Sequence, residues 1–509
     1  MTTTFRWFTA RWRWILLPVL AFVALVSWAF ASPIGAGPDD DYHLVSTWCA
    51  GGGSEQCEPG SAPDLRIVPQ GFEDLICFAQ EPAVSAACQQ QVWATWNDSS
   101  VETRRGNFYG EYPPAYYGFQ RMFAGDDVQF SALVMRVANA ALFVSLATAL
   151  AVLSTPSRRR TLVLGWMITL VPLGVFLIPS NNPSGWAVTG VGTAFIALLG
   201  WFESLGRRRW ALGALYLTGV VMAAGARGDA AVYIVGASVV AMLLTASRQR
   251  AWMLRAALPL AGMIIAAMFL AAAGQAGVAT SGFTSDGGGV SVGLVDAATP
   301  PTGLGLAAYN LLMLPFLWTG VWGSWGLGWL DTMLPPVVAW SAVAAFVAVG
   351  FGALARASVR KLVALAGVFA VLVILPVYVL TTGGDMVGEN LQPRYLLPLI
   401  VLLGVLLVTE SGGPVQGLGR VQATLVIVAL SVANFVSLQV NIRRYVTGYE
   451  NQGLDLGAGA EWWWSSAVLG PNAVWLIGSL AFAGALILTW PLLREGVVAQ
   501  PRTAEHRNA

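Results

Sequence analysis

Runs of apolar residues long enough to cross a lipid bilayer recur along the whole chain, and polar residues collect between them. A hydrocarbon layer of roughly 30 Å takes about 17–25 apolar residues as a helix, the form that satisfies its backbone hydrogen bonds without water. The pattern predicts twelve spans: 14–36, 129–153, 161–179, 186–204, 210–226, 230–246, 256–273, 333–354, 362–381, 396–409, 421–439 and 471–491. The expected fold is an all-α, multipass helical bundle.

Basic loops orient the spans. Arg6, Arg11 and Arg13 precede the first, "RRR" stands at 158–160 and 207–209, "SRQRAWMLR" at 247–255 and "ARASVRK" at 355–361. The positive-inside rule puts all of these in the cytoplasm. A further apolar stretch, 304–322, is long enough to span, but a crossing there would carry "ARASVRK" outside. It therefore reads as an interfacial or re-entrant element on the outer side. Trp318, Trp322, Trp325 and Trp329 fall on one helical face, which suits the headgroup layer or a packing face between helices.

This frame divides the chain into a cytoplasmic tip with the first helix (1–36), a large outer loop (37–128), a first helical block (129–273), an outer segment with the Trp-rich element (274–332), a second block (333–491) and a cytoplasmic tail (492–509). Smaller outer loops cover 382–395 and 440–470. The apolar run at the N-terminus is longer than the ~7–15 residues of a signal-peptide core, so it reads as an uncleaved anchor.

Composition agrees: 56% of residues are hydrophobic and 11% charged, and the net charge of +1 gives no basic surface for nucleic acid. All four cysteines, Cys49, Cys57, Cys77 and Cys88, lie in the first outer loop. Local pairing, Cys49 with Cys57 and Cys77 with Cys88, is expected in an oxidising exterior.

Candidate chemistry clusters outside. "GPDDDYH" carries Asp39, Asp40, Asp41 and His43, one of two histidines in the chain. Proline and acids suit a helix start, and on that helix Asp39 and His43 share a face. Crowded carboxylates hold a proton to higher pH, so the run fits a general base or a divalent-cation site as well as a helix cap. "YPPAYYGF" brings Tyr112, Tyr116 and Tyr117 to the same side, and "NNPSGW" brings Asn182 and Trp186 in a tight turn. "ARGD" sets Arg227 beside Asp229, and "QPRY" sets Gln392 and Arg394 at the outer end of a span. Arg443 and Arg444 are outer arginines against the positive-inside trend, and "EWWWSS" adds aromatic surface. Arginine clamps phosphate, but it also anchors helices at the headgroups.

In this order, "PDDDYH", "YPPAYY", "NPSGW", "ARGD", "WGSWGLGWLDTMLPP" and "QPRYLLP" resemble a bacterial branch of multipass proteins related to the C-class glycosyltransferases, the GT-C superfamily, over residues 14–491. The resemblance implies an integral membrane glycosyltransferase of the plasma membrane. It would move a sugar from a polyprenyl-phosphate donor to a cell-envelope glycan, lipid or protein acceptor on the extracytoplasmic side, with inversion. It implies that an aspartate of the first outer loop is the catalytic base. Related sequences carry "PDE" followed by His, so Asp40 stands in the Glu place and His43 in the His place. Asp40 is favoured narrowly over Asp39, and Asp41 stays open. Arg394, then Arg227, Arg443 and Arg444, are the candidates for the donor phosphate. His43, Tyr112, Tyr116, Tyr117, Asn182, Trp186, Trp325 and Gln392 are those for sugar or acceptor. Some relatives use a divalent metal, Mg or Mn; here Asp39, Asp40 and His43 would hold it.

A transporter or flippase of a lipid-linked saccharide is the alternative, and an inactive envelope scaffold the third reading. Transporters place polar sites near the midplane, within repeats, whereas these spans are poor in charge and show no such repeat.

Overall fold

A computed structural model describes residues 2–52, 55–277, 301–355, 357–410, 417–449, 451, 453–464 and 469–494. Parts of the expected outer segment 274–332 and most of the tail 492–509 lie outside the described residues. Helices dominate: α1 (Thr2–Phe30), α2 (Asp40–Trp48), α3 (Val128–Leu153), α4 (Pro156–Thr169), α5 (Leu173–Leu177), α6 (Pro183–Glu203), α7 (Gly206–Ala224) and α8 (Gly228–Thr245). They continue with α9 (Arg250–Arg255), α10 (Ala257–Ala272), α11 (Gly303–Thr319), α12 (Pro336–Leu354), α13 (Val359–Gly383), α14 (Pro393–Val408), α15 (Arg420–Val446) and α16 (Pro471–Arg494).

Ten helices among the described residues are long and apolar enough to cross a membrane, against the twelve spans expected. The difference has local causes. The expected span 161–179 breaks into α4 and α5 around Pro172, which has no N–H to donate. The span at 210–226 belongs to α7, whose first turn is Arg207 to Arg209. The span at 396–409 is α14, only 16 residues long. Residues Gly303–Trp322, expected not to cross, do have the length and apolarity to span.

The contacts of that segment trace its path. Asn310 bonds Asp385 and Val387 in the outer loop after α13. The Trp318 indole donates to Leu372 O, halfway along α13, and the Trp322 indole to Ile168 O in α4. Trp329 then donates to Gly35 O, just beyond α1. The chain thus runs from the loop after α13, along the middle of α13, to the turn after α1, and α12 follows it.

Helices α6 and α14 form the centre. The apolar window of α6 is wholly buried, and α14 is buried from Pro393 to Val408 apart from Tyr395 and Leu403. At the end of the bundle where α1 finishes, the loop that follows it folds over the helices. Both disulfides, Cys49–Cys57 and Cys77–Cys88, form as expected. A small antiparallel sheet, β1 (Glu58–Pro59), β2 (Arg66–Pro69) and β3 (Ser100–Thr103), runs in the order β1-β2-β3 and ends at Arg105. Gln89, next to Cys88, donates to Ile34 O and Leu75 O, tying this layer to the turn between α1 and α2.

Candidate functional site

Three spans begin at one place. Asn182 caps α6 and Pro183 opens it; Pro393 opens α14; Arg227 caps α8. Proline suits a first helical position because its missing N–H would have no partner there. "NPSGW", "QPRY" and "ARGD" are thus helix starts, and their positive ends gather at one end of the bundle, where anions are favoured. The "PDDD" turn meets them: Asn182 Nδ2 donates to Pro38 O at 2.7 Å.

The three aspartates have three environments. Asp40 is fully buried. Its Oδ2 accepts from Gly35 N at 3.2 Å and Gly37 N at 3.0 Å, with Arg136 Nη2 at 3.4 Å. A Cβ at Gly37 would stand 2.5 Å from Asp40 Oδ1, so that turn requires glycine. Arg136 also donates to Ala29 O, Ser32 O and Pro33 O, closing the C-terminal end of α1. Burial raises the Asp40 carboxyl, and Arg136 offsets this only in part. Asp40, the favoured base from sequence, is the keystone of a turn and is sealed from solvent. Asp41 faces Arg105, with bonds of 2.6 and 3.2 Å.

Asp39 is the aspartate that opens to solvent, with 31% of its side chain exposed. Its backbone is left-handed, φ 56° and ψ 29°, a conformation that costs a non-glycine residue about 1 kcal/mol. The carboxylate accepts from Arg394 Nη2 at 2.6 Å and faces Arg105 Nη2 at 3.4 Å. Burial would raise this carboxyl, but Arg394, followed by His43 and Arg105, holds it well below the usual carboxylate range.

Arg394 has donors to spare. Nη2 serves Asp39 and the Tyr395 hydroxyl, while Nε and Nη1 are buried without a hydrogen-bond partner among the described residues. Arg443 also has Nε and Nη1 without a partner among the described residues; what sets Arg394 apart is its place beside the part-exposed Asp39. Arg227 is chelated by Asp229 through two 2.9 Å bonds and lies 4.5 Å over the Tyr395 ring, as Arg394 does at 5.0 Å. Beside them an apolar cavity of about 200 Å³ runs between α8, α10, α13 and α14, lined by Arg227, Tyr233, Pro376, Val379 and Tyr395.

An aromatic wall completes the site. His43 Nδ1 shares a 2.9 Å hydrogen bond with the Tyr117 hydroxyl, and Tyr112 packs edge-on to His43. Burial pushes His43 down to about 3, so the imidazole is neutral at pH 7. Burial likewise pushes Tyr112 up to about 12. Tyr42 donates to Glu111 at 2.7 Å. Asn107 pins Tyr112 through paired bonds of 2.9 Å, and Ala115 and Tyr116 N–H groups reach Gly225 O beside Arg227.

Other candidates lie elsewhere. Tyr116 and Trp186 pack on each other beneath the site and are buried, so they do not present a sugar platform. Trp325 and Gln392 line a small cavity with Pro38 and Arg394. Arg444 is a fully buried clamp on Phe78 O, Glu81 O, Val84 O and Asp331, and Arg443 holds Gly453 O and Asp455 O. Both hold loop groups, though Arg443 Nε and Nη1 and Arg444 Nε have no partner among the described residues, and the ion pairs of Asp39 are with Arg394 and Arg105 instead. Sequence reasoning missed Arg105, Arg136 and Tyr395. Only Tyr395 had a sequence signal, its place next to Arg394 at a helix start.

The donor set does not fit a divalent metal. Asp40 points into the bundle, Asp39 already faces two guanidinium groups, and His43 engages Tyr117. Among the described residues no three His, Cys, Asp or Glu side chains gather to hold an ion.

No curated protein and no solved structure matches the chain. A family profile described as "Predicted membrane protein (DUF2142)" matches residues 22–403, from within α1 to within α14, and so includes Asp39, Arg105, Arg227 and Arg394. The chain is a multipass membrane protein and belongs to this DUF2142 family.

Proposed function

We propose that the chain is a membrane glycosyltransferase that takes a sugar from a polyprenyl-phosphate donor and passes it to a cell-envelope acceptor at the extracytoplasmic face. The observation that carries the reading is Arg394: a buried guanidinium with two unpartnered nitrogens, next to a part-exposed aspartate. The apolar cavity beside Arg227 and Tyr395 supports a lipid-linked phosphate over a free one, because a prenyl tail has somewhere to go. The resemblance to GT-C enzymes supports the sugar.

The chemistry then follows. The donor phosphate takes the free donors of Arg394 and competes with Asp39 for Nη2. Losing part of that partner makes the Asp39 carboxylate more basic. Asp39 removes the proton of an acceptor hydroxyl, and the acceptor oxygen forms a bond to the anomeric carbon. The bond from that carbon to the phosphate oxygen breaks, and polyprenyl phosphate leaves with the electron pair. Arg394 and Arg227 stabilise the charge that develops on it. Attack opposite the leaving group inverts the anomeric centre. Asp39, rather than Asp40, is the base, because only Asp39 faces both the guanidinium and solvent.

Purified protein is to be tested with polyprenyl-phosphate sugars and envelope acceptors. Transfer that is lost in Asp39→Asn and kept in Asp40→Asn supports the reading. Absence of transfer, with movement of the lipid-linked sugar between leaflets, would replace it by the flippase.

A further inference from the structure

At the opposite end of the bundle a polar cavity of about 800 Å³ opens among the ends of α4, α6, α8, α9, α13 and α14. Arg158, Arg255, Arg360, Trp252, Glu203 and Glu410 line it. No step of the proposed transfer uses this cavity.

Its carboxylates are already neutralised. Glu203 is held by Arg158 through contacts of 2.6 to 3.1 Å, and Glu410 by Arg160 at 3.3 Å and Ser157 at 2.6 Å. Arg255 and Arg360 have no carboxylate partner among the described residues. Each is moored through one nitrogen to a backbone carbonyl, Arg255 to Phe202 O at 2.6 Å and Arg360 to Ala246 O at 2.7 Å. Arg158 Nη1 and Arg255 Nε are buried with no hydrogen-bond partner among the described residues.

Helix ends add to the positive potential. Arg158 and Arg360 occupy the first turns of α4 and α13, where the backbone already presents positive charge. Cations are disfavoured there unless an anion compensates. Loop arginines that only set topology are free to lie in water; these are moored around a cavity. A stacked pair, Phe202 and Trp252 with ring centroids 5.7 Å apart, forms one wall.

We infer that this cavity is a cytoplasmic-face binding site for a phosphate-bearing anion, held by Arg255 and Arg360. The phosphate reaches it from an inner-leaflet lipid headgroup or from a soluble phosphate ester. The cavity lies at the far end of α14 from Arg394, and the inference does not depend on the transferase reading.

The full chain in nanodiscs distinguishes the sources. One arm counts phosphatidylglycerol retained from mixed phosphatidylglycerol and phosphatidylcholine discs by native mass spectrometry. The other titrates inorganic pyrophosphate into phosphatidylcholine discs by calorimetry. Binding is expected in at least one arm, weakened at least about tenfold in R255Q/R360Q and unchanged in R420Q, which removes an exposed charge away from the cavity. Asp39→Asn should bind as wild type does. Failure of both probes to bind wild type overturns the inference, as does equal loss in R420Q or no loss in the double variant. If R255Q/R360Q does not fold, R255K/R360K replaces it. Lysine keeps the charge but not the fork, so intermediate binding supports the site and unchanged binding contradicts it.

Discussion

Two arginine–aspartate pairs stand one residue apart in the same turn, and they differ in what is left over. Arg136 meets Asp40 in a sealed corner, where its two terminal nitrogens make four contacts, three of them to carbonyls in and just beyond the end of α1, and only its Nε lacks a partner among the described residues. Arg394 is itself buried but meets the part-exposed Asp39, and one of its nitrogens makes both of its bonds while two have none among the described residues. The first pair is taken up by the turn that it holds; the second keeps two donor nitrogens unused beside a part-exposed carboxylate. Charge and sequence position do not separate Asp39 from Asp40. Exposure and the count of spare donors do.

The comparison breaks first where the sealed pair is cut. Arg136→Met leaves Asp40 buried beside backbone carbonyls, and it should cost about 3 kcal/mol or more of stability. Adding Asp40→Asn should recover part of the loss, as a double-mutant cycle of thermal unfolding in detergent would show. Arg394→Gln should leave unfolding nearly unchanged, because Asp39 is part-exposed and water can solvate it. The same variant should weaken binding of polyprenyl phosphate about a hundredfold, through loss of charge-assisted bonds.

The Cys77–Cys88 bridge closes a loop of 11 residues, and replacing both cysteines by serine should cost about 2 kcal/mol. Because Gln89 reaches Ile34 O, the loss should also raise hydrogen exchange in the turn before Asp39. Per pH unit, the smallest effect concerns His43. Burial holds it near 3 when folded, against 6.5 when unfolded, so below pH 6.5 the unfolded chain takes up a proton that the folded chain refuses. Stability should therefore fall as pH drops from 6.5 toward 3, by up to about 1.4 kcal/mol per pH unit from this group. His43→Asn should remove that component of the slope.

Much of this could be read from the chain. Apolar periodicity located the bundle, since only helices satisfy the backbone in lipid, and clustering in one loop paired the cysteines. The helix-start motifs brought Asp39, Arg227 and Arg394 to the same end of the bundle. Which aspartate faces out was not legible, because it depends on a left-handed turn at Asp39 and on Arg136, 96 positions away from Asp40. Arg105 reaches Asp39 and Asp41 only because three short strands fold back over the bundle, a pairing with no periodic signal. Arg443 and Arg444 looked like phosphate ligands by topology alone; Arg443 binds carbonyls of the loop that follows it, and Arg444 binds Asp331 and carbonyls of the distant loop 78–84.

The division of labour between Asp39 and its neighbours is tested most directly by single-turnover transfer from a radiolabelled polyprenyl-phosphate sugar, with donor binding measured on the same samples. The account predicts that Asp39→Asn binds donor at least as well as wild type, because Arg394 is released. Its transfer should be slower by about a thousandfold, while Asp40→Asn keeps most of its transfer. Undiminished transfer in Asp39→Asn, or loss in Asp40→Asn alone with the fold intact, would contradict it.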